Sequence, residues 1–194
     1  MGRTLRAVMI LLLVASCGGG RYSAPRDLDN ACNIVKERPK YLKAFKRAER
    51  RYGVEPAVMM AMIHQESKFI GNAKTPHRYA LGIIPLGRQS SAYGYSQALE
   101  GTWEDYKKDS GRRRAKRDDI DDAADFMGWY MRLTKEKLGI SMNDTRNQYL
   151  AYHDGHTGYA RGTYKSKSWL MAIADKVAAR AHTYRAQLRN CSRR

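Results

Sequence analysis

A mainly α-helical single domain is predicted by three features of the sequence. Apolar residues recur at helical spacing through most of the chain, glycines and prolines stand where helix ends and starts need them, and only one long stretch lacks periodicity. The chain has 194 residues, enough for one domain with its own core. Tyr41, Leu42, Phe45, Ala48 and Tyr52 share a helical face, with Lys and Arg between them. Gly53 suits the left-handed cap that closes this helix, and Pro56 suits the first turn of the next. Val58, Met59, Ala61, Met62 and Ile63 make that next helix apolar on most sides, which marks it as buried. It runs into His64-Gln65-Glu66-Ser67. Residues 72–95, holding Pro76, Gly82, Pro85, Gly87 and Gly94, read as a long loop with room for a small hairpin. A helix is expected over 100–108, followed by a basic run at 112–117 that reads as a solvated face. Asp118, Asp119, Asp121 and Asp122 place acidic charge at the start of a helix reaching about residue 138, as the helix dipole favours. Asn143 is a cap for a short helix through Tyr152, and 153–159 read as a glycine-and-aromatic loop. Ser166 or Ser168 opens the last helix, with Trp169, Ile173, Val177, Ala181 and Tyr184 at helical spacing.

The N-terminus reads as an export signal. Arg3 and Arg6 precede an apolar run over 7–15, far too short for the roughly 20 residues that span a bilayer. The run ends in Val14-Ala15-Ser16-Cys17, which resembles the bacterial lipobox whose cysteine is lipidated and becomes the new N-terminus. Gly18-Gly19-Gly20 then supplies a flexible tether. The expected division is a signal peptide over 1–16, a lipidated tether over 17–35 and the folded domain over 36–192. The expected location is the periplasm, anchored by lipid to the outer membrane, since Gly18 rather than Asp follows the cysteine. Cys32 and Cys191 remain at the two ends of the folded region, and an oxidising compartment makes them a natural disulfide. The net charge of +17 implies anionic partners or surfaces. Export, and the spread of basic residues along the whole chain, argue against nucleic acid. Acidic lipid and the acidic bacterial wall remain.

Glu66 is the residue most in need of an explanation. A carboxylate at the end of an apolar helix is paired, exposed on the final turn, or kept partly protonated by a dry pocket, which makes it a general acid. Glu66-Ser67 followed by Phe69 resembles the Glu-Ser motif of the soluble lytic transglycosylase (SLT) family. Gly94-Tyr95-Ser96-Gln97, then Thr102-Trp103, is similar to the family's Gly-Leu-Met-Gln motif with its following Thr-Trp, and Ala151-Tyr152-His153-Asp154-Gly155 to its Ala-Tyr-Asn-x-Gly. The three occur in family order and the resemblance spans roughly residues 40–185. Tyr95 and Ser96 replace the usual Leu and Met, His153 replaces Asn, and the segment between Phe69 and Gly94 is long, as in a divergent branch with its own loop over the cleft.

The resemblance implies a goose-lysozyme-like α fold and cleavage of the β-1,4 bond between N-acetylmuramic acid and N-acetylglucosamine in peptidoglycan glycan strands. It implies Glu66 as the single catalytic acid/base, giving a 1,6-anhydro end, with no cofactor or metal and a monomeric chain. Ser67, Tyr95, Ser96, Gln97, Tyr152 and His153 are the implied glycan-binding residues, with the Tyr152 hydroxyl orienting Glu66. Tyr93, Tyr149, Tyr159 and Trp103 are further aromatics for sugar faces or for the core. His153 and His156 form H-x-x-H, a weak metal signal in a loop with few other ligands. The alternatives are a hydrolytic muramidase of the same fold and a non-catalytic wall-binding lipoprotein.

Overall fold

The computed structural model describes residues 22–80 and 84–191. The expected signal peptide over 1–16, Cys17 and its glycine tether lie outside the described residues. Helices α1 (Ala31–Glu37), α2 (Pro39–Tyr52) and α3 (Pro56–Ser67) lead to a two-stranded antiparallel hairpin of β1 (His77–Ala80) and β2 (Ile84–Arg88). Then come α4 (Glu100–Ser110), α5 (Ile120–Leu138), α6 (Thr145–Ala160), a 3-10 turn (Thr163–Ser166) and α7 (Ser168–Cys191). The fold is mainly helical, as expected, with a small hairpin in the loop after α3.

Helix α3 is the centre of the molecule. Pro56 occupies its first turn and every residue from Ala57 to Ile63 is buried, because α3 lies along α7 on one side with α2 and α5 on others. The core around it includes Phe45, Met127, Leu150 and Tyr184. A second, aromatic cluster of Trp103, Tyr106, Phe126 and Trp129 joins α4 to α5. Between them Asp125 is buried but fully partnered: it accepts from Arg51 at 3.1 Å, Tyr52 at 3.2 Å and Tyr106 at 2.8 Å, tying α2, α4 and α5 together.

Three expectations are corrected here. The tether does not reach residue 35: α1 is capped by the Asn30 side chain, buries Ala31 and Ile34, and packs on α7. Ala31 N–H donates to Gln187 at 2.7 Å, Gln187 donates to the Asp29 carbonyl at 3.0 Å, and Arg180 pairs with Asp29 at 2.7 Å. The folded domain therefore begins well before residue 36. The expected loop over 153–159 is also helical. Asp144, not Asn143, caps α6, and α6 continues through a single break at Gly155, whose φ of 74° a side-chain-bearing residue rarely adopts. Cys32 and Cys191 are bonded, with Cα atoms 5.7 Å apart, closing the N-terminal segment onto the end of α7.

Candidate active site

The last turn of α3 ends abruptly. Glu66 and Ser67 are followed by Lys68 at φ 53° and Phe69 at φ 60°, both left-handed. For a bulky residue such as Phe69 that conformation is strained. Burial and stacking on Tyr41, with ring centres 5.6 Å apart, hold it there. Gln97, at φ 50°, is the third non-glycine residue with positive φ among the described residues. Ser67 links the two strained segments, because its hydroxyl donates to the Tyr95 carbonyl at 2.8 Å. Strain of this kind clusters at functional sites.

The segment 94–97 is braced from behind by the basic run. Tyr95 N–H donates to the Arg117 carbonyl at 3.2 Å, and the Arg117 guanidinium donates to the carbonyls of Ser91 and Ala98 at 2.7 and 3.0 Å. Gly94 passes so close that a Cβ there would strike the Arg117 carbonyl, and its φ of 82° independently demands glycine. Arg112 is bonded to Asp122 at 2.5 Å. The run is thus not simply a solvated face: Arg113, Arg114 and Lys116 are exposed, while Arg112 pairs with Asp122 and Arg117 holds the site's backbone.

Glu66 sits within this frame. Burial pushes its carboxyl up to about 7, and the Tyr149 hydroxyl and the Lys68 charge only partly oppose the rise. Oε1 is buried without a hydrogen-bond partner, although the residue keeps a partial opening to solvent. A buried carboxyl oxygen left unpaired costs stability, and such costs persist where chemistry needs them. Ser96 is fully buried and its Oγ also lacks a partner. No carboxylate is among the groups that shift Glu66 among the described residues. A cleft of about 960 Å³ lies at the opposite end of α3, lined by Pro56, Ala57 and the disulfide cysteines.

A family model described as a transglycosylase SLT domain matches residues 5–191. The chain belongs to this family. No curated protein matches it. Membership carries peptidoglycan activity of the lytic transglycosylase type and fits the mainly helical, lysozyme-like fold.

Several of the expected site residues in the SLT domain are engaged by other parts of the fold. Tyr152 lies near Glu66, but its hydroxyl donates to the Ser96 carbonyl at 2.5 Å; Tyr149, one turn earlier on the same face of α6, turns its hydroxyl to Glu66. Ser67 is buried and its hydroxyl donates to the Tyr95 carbonyl, so it joins the first motif to the second. Tyr95 is buried too, its hydroxyl 3.2 Å from that of Tyr41, and it packs in the core. Gln97 directs its amide N–H groups to the Ala73 and Gly94 carbonyls at 3.0 and 2.8 Å, which leaves its Oε1 as an acceptor. Trp103 belongs to the second core. Tyr93 and Tyr159 are held to Asp118 and Asn147. His153 is exposed, on the last turn before the Gly155 break. His156 lies beyond that break, stacked on Tyr130 at 4.5 Å and bonded to Thr134 at 2.8 Å. Among the described residues no group of three His, Cys, Asp or Glu is arranged for a metal ion.

Proposed function

We propose that this SLT domain is a peptidoglycan lytic transglycosylase that cleaves the β-1,4 bond between N-acetylmuramic acid and N-acetylglucosamine, with Glu66 as its single acid and base. The observation that carries the reading is the Glu66 carboxyl, poised near neutrality beside Tyr149 with one buried oxygen unpaired. The common glycosidase schemes need a second carboxylate roughly 5 to 10 Å away. Besides burial, the groups that shift Glu66 are Tyr149 and Lys68, and no carboxylate is among them. In the proposed reaction Glu66 first protonates the leaving oxygen as the C1–O bond breaks. The substrate's acetamido group stabilises the positive charge at C1. The carboxylate then takes the proton of the C6 hydroxyl, whose oxygen closes on C1, and Glu66 is again protonated. No water is consumed. A group with a pKa near working pH serves both steps best. A wall-binding protein without catalysis has no use for so costly a carboxyl.

Mass spectrometry of fragments released from purified peptidoglycan tests the reaction. The expected products carry 1,6-anhydro ends and are lighter by one water than reducing-end fragments. Reducing ends alone would make the protein a muramidase.

We further propose that the protein acts from a lipid anchor at Cys17, in the periplasm on the outer membrane, on the strength of the lipobox-like sequence before it. Cys17→Ala is expected to abolish labelling by radioactive palmitate and leave the precursor unprocessed; equal labelling would remove the anchor.

A further inference from the structure

The chain has three tryptophans. Trp103 and Trp129 are each 4 % exposed and belong to the second core, whereas Trp169 is 53 % exposed. A single open aromatic is ordinary, but Trp169 ends a continuous aromatic line that starts at Glu66. The Tyr149 hydroxyl faces the Glu66 carboxyl, the Tyr149 ring lies 6.5 Å from His153, and the His153 ring meets Trp169 edge to face at 5.2 Å.

The local structure is built to hold this pair. Asp154, next to His153, accepts from Thr163 and is paired with Lys167. Thr163 opens the 3-10 turn and Lys167 is the last residue before α7. One carboxylate therefore fixes the start of α7, and with it Trp169, against the last turn of α6 before its break. Although His153 is exposed overall, partial desolvation of its ring lowers its pKa below the usual value and favours the neutral imidazole, which offers one donor and one acceptor. An uncharged imidazole beside an indole suits the hydroxyl and acetamido groups of a neutral sugar, with the indole covering an apolar ring face.

Resting on the transglycosylase reading above, we propose that Trp169 and His153 form a glycan subsite that stacks an N-acetylated pyranose of the strand at a position beyond the bond cut at Glu66. Sugar binding there tightens the hold on long strands without entering the chemistry.

The test uses the full chain carrying Glu66→Gln, so that glycan is bound and not cut. Because the other two tryptophans are buried, quenching of tryptophan fluorescence by iodide reports Trp169. The probes are the N-acetylglucosamine tetrasaccharide and glycan strands stripped of peptide. Cosedimentation with insoluble wall measures binding independently. The expected result is protection of Trp169 from iodide that saturates with either probe. Trp169→Ala in the otherwise native enzyme should raise KM on long strands about tenfold with kcat little changed. Trp169→Phe should recover part of that loss. If the chain sediments with wall while Trp169 stays fully open to iodide, the subsite is wrong and the proposed function stands. If the chain neither sediments with wall nor is protected by glycan, both fall.

Discussion

Glu66→Gln is expected to lower release of soluble fragments from purified wall by about a thousandfold or more, the scale of a lost general acid that also served as base. The same substitution is expected to stabilise the fold at neutral and alkaline pH. The Glu66 carboxyl rises from an ordinary 4.5 to about 7 on folding, so the native state binds the proton more tightly than the unfolded chain. Stability from this group is therefore fully present below about pH 4.5 and is lost as pH rises through 7. At about 1.4 kcal/mol per pKa unit, the charged wild type bears at most about 3.5 kcal/mol above that range, less whatever its opening to solvent relieves. Melting curves of the two proteins should coincide near pH 4 and separate by pH 8, with Glu66→Gln the higher. Undiminished activity, or a variant less stable at pH 8, would mean that the carboxyl is a structural anchor.

Removal of the bridge with Cys32→Ala and Cys191→Ala is expected to produce the largest loss of stability. The bridged residues are 159 apart in sequence, and closing so long a loop is worth about 5 kcal/mol in the chain-entropy model. For a domain of this size the melting temperature should fall by roughly 10 to 20 °C. Activity at low temperature should survive. The cysteines flank the cleft at the Pro56 end of α3, whereas Glu66 lies at its other end. An unchanged melting temperature, or two free thiols in protein made in an oxidising compartment, would contradict this.

Much of this structure can be read from residue pattern. The unbroken apolar run 57–63 identifies α3, and Gly53 and Pro56 mark the turn before it, because helix ends impose local demands that side-chain type reveals. The hairpin is legible only as room for one, since residues 72–95 have no period to count. Three features depended on partners far away in sequence. Ala31 and Ile34 count as core only because α7 returns to cover them. The basic run 112–117 looks like a solvated face until Arg117 is seen bracing the carbonyls of Ser91 and Ala98. Tyr149 and Tyr152 share one face of α6, and spacing alone does not say which hydroxyl meets Glu66. Gly155 misled for a local reason: the chain breaks there for one residue and resumes the helix, whereas a glycine between aromatics suggests a loop.

The central claim, that one carboxyl held near neutrality performs both proton transfers, is tested most directly by following the Glu66 carboxyl carbon by NMR as pH is varied, with the signal assigned by its loss in Glu66→Gln. The account predicts a single titration centred near pH 7. A midpoint near the ordinary 4.5 would leave Glu66 a fully charged carboxylate at working pH, unable to act as the acid, and would contradict it.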